Sequence, residues 1–176
     1  MILSILNFIR TGNLGKVQLG QNMDEIAQIF PEPDDKDKLD EEFTIWSYGA
    51  FEFHFFNENL ILLWCDNLPY LGNPRKKQFK WDLWMLKKKH PMTLSKFINS
   101  MNREKIPFTL NGNFHLGKDS PYNIRADVKD TDSIIYFENS TDHATSIYKY
   151  KMVAIGASKM KEVSARVLQN FNQPSA

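Results

Sequence analysis

The side chains in this sequence that are best suited to acid–base, nucleophilic or metal chemistry are four histidines and one cysteine. They are His54, Cys65, His90, His115 and His143. A zinc site uses several such ligands at short, regular spacings, for example H-x-x-x-H or C-x-x-C. No two of these five residues have such a spacing. We therefore predict that the chain binds no metal and no cofactor.

Two of the histidines could still serve general acid–base catalysis, which needs a positioned proton donor or acceptor. Asp142 directly precedes His143, and a small hydrolase could combine that pair with His115. No nucleophile motif of the G-x-S-x-G type and no glycine-rich phosphate-binding loop accompanies them. His54 alternates with Glu52 in a strand-like segment, where we expect a surface residue. We predict a protein that is not an enzyme, and a small hydrolase built on His115 and His143 is kept as an alternative.

The single cysteine and the apolar N-terminal segment bear on the cellular compartment. One cysteine excludes an internal disulfide framework, which fits a reducing cytosol. Cys65 lies between Trp64 and Asp66, and we expect a buried, unreactive thiol there. Residues 2–9 are apolar, but they are too short for a membrane span and lack the flanks of a signal peptide. We expect a cytoplasmic protein without a membrane segment.

Charge is segregated along the chain, although the net charge of the whole is only +1. Residues 22–42 carry nine carboxylates and two lysines, a net charge of −7. Such a segment can steer a basic protein partner and imitate nucleic-acid phosphates. The alternative is a solvated loop whose charge serves solubility. The candidate contacts to a partner are Glu32, Asp34, Asp35, Asp37, Asp40, Glu41 and Glu42.

Residues 75–90 form a basic segment with seven basic residues and one acid, a net charge of +6. Because Phe79, Trp81 and Trp84 are interleaved with the lysines, stacking on single-stranded nucleic acid through the stretch 75–89 is an alternative function. The competing interpretation packs the tryptophans in the core while the lysines extend to water, so nucleic acid is not the expected partner. Trp81 and Trp84, if exposed, are the next candidate contacts to a protein partner.

The length and composition suit one globular domain. The chain has 176 residues, of which 42% are hydrophobic and 24% are charged. We predict a single domain over residues 1–176, with sub-motifs at about 14–68 and 78–172. We expect a monomer or a weak dimer.

One short helix is predicted before the first sub-motif, which itself consists of a helix followed by strands. Helical spacing of apolar residues predicts a short N-terminal helix over 2–9. Asn22 and Glu25 predict a capping box at the start of a second helix, which the prolines at 31 and 33 end. Residues 34–42 are predicted to be a charged loop. The predicted strands are 43–49, 51–56 and 60–66, with a three-residue hairpin loop between the last two.

The second sub-motif repeats this order loosely. Residues 79–86 read as a strand, with a helix as the competing interpretation. Thr93 is predicted to cap a helix that Pro107 closes, and apolar spacing over 160–171 predicts a final helix. The predicted strands are 108–110, 123–128, 133–138 and 146–155. Together these elements predict an α+β fold: a largely antiparallel β-meander sheet with helices packed on one face, in two loosely similar halves.

The segment 19–67 resembles a bacterial pattern found in small outer-membrane lipoproteins of the SmpA/OmlA type and in β-lactamase inhibitor proteins. It runs from a Leu-Gly and a helix through a proline turn to a Trp-x-Tyr strand and an apolar hairpin. The residues that carry it are Leu19, Gly20, Ile26, Pro33, Trp46, Tyr48, Phe53, Phe55 and Leu60. Lipoprotein character does not transfer, because Cys65 lies within a predicted strand and no signal peptide is expected.

The same helix–meander pattern looks like that of some immunity proteins of bacterial toxin systems, including contact-dependent inhibition. That resemblance implies a cytosolic, non-catalytic protein that binds and blocks a cognate toxin. It transfers no individual binding residue, because immunity surfaces vary with the toxin. We therefore expect a toxin-neutralising protein that blocks an active site, that of a nuclease for example. A nucleic-acid-binding module is the alternative.

Overall fold

The computed structural model describes residues 1–71, 79–86, 92–112, 124–138 and 150–159. These residues form three α-helices and ten β-strands. The helices are α1 (Ile5–Thr11), α2 (Met23–Ile29) and α3 (Leu94–Arg103). The strands are β1 (Ile2–Ser4), β2 (Asp35–Lys38), β3 (Phe43–Tyr48), β4 (Phe51–Phe56), β5 (Asn59–Cys65), β6 (Lys80–Asp82), β7 (Phe108–Gly112), β8 (Ile124–Val128), β9 (Ser133–Glu138) and β10 (Lys151–Ser158). The final helix predicted over 160–171 lies outside the described residues.

Eight strands form one antiparallel sheet in the order β2-β3-β4-β5-β10-β9-β8-β7. Each half of the chain contributes a helix and a four-stranded meander. The last strands of the two meanders, β5 and β10, pair at the centre of the sheet. The first strands, β2 and β7, become its two edges. The predicted α+β fold with a largely antiparallel sheet is confirmed. The two remaining strands, β1 and β6, pair separately and in parallel.

The helix boundaries follow from local capping chemistry. The Asn22 side chain accepts a hydrogen bond from the Asp24 N–H (2.9 Å), and the Glu25 carboxylate accepts one from the Asn22 N–H (3.1 Å). These two bonds form the predicted capping box of α2. The Thr93 hydroxyl accepts from the Lys96 N–H at the start of α3, as predicted.

All three helices pack on the same face of the sheet, which we call the helix-side face. Phe8 of α1 contacts Phe51 edge to face, with ring centroids 5.6 Å apart. Phe30, at the end of α2, lies 5.2 Å from Phe53. Phe97 of α3 lies 5.1 Å from Phe137 of β9. The alternating phenylalanines of β4 therefore form the middle of the core, as their period of two predicts.

Four local predictions need correction. The N-terminal helix begins at Ile5 and not at residue 2, because Ile2–Ser4 pairs with β6. Only Lys80–Asp82 of the segment 79–86 is a strand. The predicted charged loop 34–42 contains β2, which pairs with β3. The hairpin loop between β4 and β5 has two residues, Asn57 and Glu58, both with positive φ, because Asn59 already pairs with Phe56.

Removing one core ring should cost far more stability than removing an outer one. Phe53 is fully buried, whereas Phe56 on the same strand is half-buried on the opposite face. We expect Phe53→Ala to lower the free energy of unfolding by about 3–5 kcal/mol. Phe56→Ala should cost about 1–2 kcal/mol, since it removes less buried surface. Urea denaturation measures the free energy of unfolding of both variants. Equal losses in Phe53→Ala and Phe56→Ala would contradict this account.

Candidate partner-binding surface

The acidic segment lies at one edge of the sheet, where β2 carries alternating aspartates and lysines. The register pairs Lys36 with Trp46, whose ring is buried on the helix-side face. The Lys36 ammonium accordingly lies over that ring, 5.2 Å from its centroid. Because side chains alternate along a strand, Asp35 and Asp37 point to the opposite face, which we call the outer face.

The seven carboxylates predicted as partner contacts divide into three groups. Asp34 and Asp40 stabilise turns: the first accepts from the Gly49 N–H (2.8 Å), the second from the N–H groups of Glu42 (2.8 Å) and Phe43 (2.6 Å). Asp35 accepts only from the adjacent Lys36 N–H. The remaining side chains are exposed and have no hydrogen-bond or ion-pair partner within the described ranges. These are Glu32, Asp37, Glu41 and Glu42.

A pair of polar residues extends this acidic edge across the outer face. The sheet register places Asp35 beside Ser47, Ser47 beside Glu52, and Glu52 beside Trp64. The Glu52 carboxylate lies 2.8 Å from Nε2 of His54, and the His54 side chain is only 14% exposed. This contact holds the imidazole against the sheet. Among the described residues, no group of three or more histidine, cysteine or carboxylate side chains could hold a metal ion.

Aromatic and polar side chains from β5, β9, β8 and β7 form a cluster on the outer face. Trp64 and Tyr136 meet edge to face with centroids 5.6 Å apart. Arg125 forms an ion pair with Asp127 at 2.9 Å, although both side chains are less than a fifth exposed. Asn111 of β7 also donates to Asp127. Burial raises the pKa of Tyr136, while its hydrogen bond with Arg125 opposes that rise. We call these five residues the outer-face cluster.

The predicted contacts Trp81 and Trp84 are packed against the core and are only half-exposed. Trp81 stacks on Phe51 with centroids 5.3 Å apart and an interplanar angle of 29°. Its indole N–H is buried and has no hydrogen-bond partner among the described residues. Their predicted contact role depended on full exposure, which these two side chains do not have. Lys80 is exposed, whereas the other basic residues of 75–89, like His90, His115 and His143, lie outside the described residues.

Cys65 is fully buried at the end of β5. Burial is the main cause that raises the pKa of its thiol to about 12, and the nearby Asp66 and Glu52 charges act in the same direction. A thiol that stays protonated at neutral pH is a weak nucleophile. The geometry agrees with the expected unreactive thiol.

A shallow hollow of about 200 Å³ lies beside the end of α1. It is lined mainly by polar groups, whereas sites for small organic ligands are usually apolar. Its lining residues are Thr11, Gly12, Asn13, Gln18, Leu19, Asp132 and Lys159. This hollow has no feature that assigns it a ligand.

No protein-family model matches the chain, and no curated protein matches it. Among solved structures, it is similar to an extracellular protein containing an SCP domain from Bacillus anthracis str. Ames, with a TM-score of 0.36 and 8% sequence identity. The likeness covers 91% of this chain and 47% of that one, so the chain spans about half the length of its neighbour. A likeness at this level carries no argument about function. None of the described helices is long and apolar enough to cross a membrane.

The outer-face cluster was not predicted from the sequence. Its members come from four strands, and three of those strands lie more than 40 residues beyond Trp64 in the chain. One local signal was available, the alternation of Arg125 and Asp127 between buried apolar residues in β8. That signal identifies a polar face, but the strand order is needed to bring it next to Trp64.

Burial of Cys65 predicts slow modification of the folded protein. We expect a thiol reagent at pH 8 to label the native chain at least about 100-fold more slowly than the urea-unfolded chain. Because the pKa of the Cys65 thiol is higher in the folded chain than in the unfolded chain, the thiol contributes to the free energy of unfolding. This contribution is complete below the unfolded-state pKa of about 8.5 and is lost as the pH rises towards 12. Rapid labelling of the native chain, measured by mass spectrometry, would contradict the burial.

Two glycines provide a matched test of the central strand pair. A Cβ atom on Gly156 would lie 2.7 Å from the Leu63 carbonyl oxygen and 2.7 Å from the Trp64 ring. A Cβ atom on Gly112 would meet nothing within 4 Å. We expect Gly156→Ala to lower the melting temperature and to cost about 1–3 kcal/mol. Gly112→Ala should be neutral or slightly stabilising. Equal melting temperatures for the two variants would refute the close packing at Gly156.

Proposed function

We propose that this chain is a non-enzymatic, cytoplasmic binding protein that neutralises a cognate bacterial toxin by covering a basic active-site cleft. The observation that carries the proposal is the position of the free carboxylates. Glu32, Asp37, Glu41 and Glu42 are exposed together at one sheet edge and are not engaged in the fold of the described residues. A nuclease cleft that binds phosphates would present the opposite charge.

A second feature that suits a protein interface lies farther across the outer face, where Ser47 and Glu52 separate it from the acidic edge. Tight interfaces have buried centres rich in tryptophan, tyrosine and arginine, surrounded by a polar rim. In the outer-face cluster, Trp64 is half-buried and offers such a side chain, and the Tyr136 ring, which is itself buried in the fold, supports it edge to face. In this arrangement the carboxylates steer the toxin and the half-buried Trp64 ring anchors it. The loose resemblance to immunity proteins supports the same assignment.

The nucleic-acid alternative gains no support from the described residues. Base stacking needs accessible aromatic faces. The Trp81 ring is stacked on Phe51 in the core, so one of the interleaved aromatics is already engaged within the fold. We therefore propose a protein and not a nucleic acid as the partner.

The partner can be identified by tagged capture from the native host lysate, followed by mass spectrometry at low and high salt. Under the proposal, a single stoichiometric protein survives moderate salt and is toxic when expressed without this chain. Co-expression of this chain should restore growth. Recovery of nucleic acid that washes off with salt, or of a protein without toxicity, would contradict the proposal.

Charge reversal on β2 tests the steering role with the captured toxin. We expect Asp35→Lys combined with Asp37→Lys to slow association about tenfold at low salt and to flatten its salt dependence. The dissociation rate should change little, because the carboxylates act before the complex is formed. Both rates would be measured by surface plasmon resonance.

The matched control reverses the lysines of the same strand. Lys36→Glu combined with Lys38→Glu makes the edge more acidic, so association should not slow. If both double variants slow association equally, the effect comes from damage to β2 and the steering role is refuted. Unchanged association of the aspartate variant would refute it as well.

A further inference from the structure

The two edges of the eight-stranded sheet have different chemistry. An edge strand presents unpaired backbone N–H and C=O groups, and proteins commonly protect such edges with charge. At one edge, β2 consists of alternating aspartate and lysine. At the other edge, β7 has the sequence Phe-Thr-Leu-Asn-Gly and carries no charged residue. Four of its five residues are exposed, and the Leu110 side chain is among the exposed large hydrophobic groups at 41%.

The charge pattern of β2 opposes pairing with a second copy of itself. Two copies that extend one sheet edge to edge are related by a two-fold axis perpendicular to the sheet, so facing residues must point to the same face. On β2 this rule places Lys36 opposite Lys36, and Asp35 opposite Asp37 of the second copy. Like charges directly opposite each other are destabilising. The strict alternation therefore excludes the register that the sheet geometry requires.

The same rule makes β7 complementary to itself. With the axis at Leu110, the two Leu110 side chains face each other on the helix-side face. Phe108 then faces Gly112 of the second copy, and Thr109 faces Asn111 of the second copy. In this register the apolar Leu110 side chains face each other, the Phe108 ring faces a glycine, and the polar Thr109 faces a polar asparagine. The space beside Gly112 is open, because a Cβ atom there would have no neighbour within 4 Å.

We propose that two copies of this chain associate through β7, in an antiparallel pair centred on Leu110, and form a continuous sheet across the dimer. The Phe108 ring already packs on Phe97 of α3, with centroids 5.3 Å apart. The pairing therefore extends the apolar core layer of one copy to that of the other. This inference does not rest on the carboxylates of the proposed function, which lie at the opposite edge of the sheet, but it places Asn111 of the outer-face cluster beside the second copy.

The dimer should be weak. A five-residue strand pair buries far less than the roughly 1,600 Å² of a standard stable interface. We expect a dissociation constant of about 10–500 µM, which sedimentation velocity over a concentration series would measure on the full chain. A chain that stays monomeric up to about 1 mM would overturn the proposal.

A lysine at the axis provides the decisive variant. Leu110→Lys places two ammonium groups opposite each other, so dimerisation should weaken by about tenfold or more. Leu39→Lys is the matched control, since Leu39 is 55% exposed next to the other edge and undergoes the same change of charge. The control should dimerise like the wild type. Equal weakening in both variants, or an unaffected dimer in Leu110→Lys, would refute the β7 interface.

A second variant separates dimerisation from folding. In Gly112→Val the new side chain fills the open space that Phe108 of the second copy would occupy, while it raises the strand propensity of β7. We expect a weaker dimer and a monomer at least as stable as the wild type by thermal denaturation. A stable Gly112→Val variant that dimerises normally would contradict this register. If the wild-type chain is monomeric and Leu110→Lys loses toxin binding, then β7 contacts the toxin and not a second copy. That result would overturn the dimer proposal.

Discussion

The pairing of β5 with β10 is the constraint on which the rest of the structure depends. It joins the two meanders, and every other strand of the eight-stranded sheet is added outward from it. The pair needs close backbone approach, because the Trp64 ring lies across Gly156 and the Leu63 carbonyl is equally near. Small residues flank the contact, since Ala154 and Ala157 also belong to β10. Without this pair the chain would form two four-stranded sheets with four edges in place of two.

The central pair also determines which residues are accessible. Because the last strands of both meanders are inside, their first strands are at the two edges. Because all three described helices cover one face, the outer face retains the alternate residues of every strand. Glu52, Trp64 and Arg125 are outer-face residues of this kind, drawn from three strands. The acidic segment contains β2, which is one of these edge strands, and its aspartates point to the outer face.

The sequence predicted what local chemistry determines. The capping residues Asn22 and Thr93 and the alternating phenylalanines of β4 act through neighbours a few positions away, so their pattern is visible in the chain. β2 was missed because its residues bury no apolar surface and its strand form depends on hydrogen bonds to β3. The outer-face cluster was missed because its contacts join residues far apart in sequence, and strand order cannot be deduced from periodicity.

The carboxylates at the β2 edge are best understood by separating those that the fold uses from those that it does not. Asp34 and Asp40 satisfy backbone N–H groups, so their presence follows from the turns. Glu41, Glu42 and their exposed neighbours satisfy none among the described residues, and their mutual repulsion slightly opposes folding. Protection of the sheet edge against pairing explains the alternating charges within β2. It does not explain the carboxylates outside the strand, such as Glu41 and Glu42. The proposed partner contacts are thus the charges that the described fold neither uses nor neutralises.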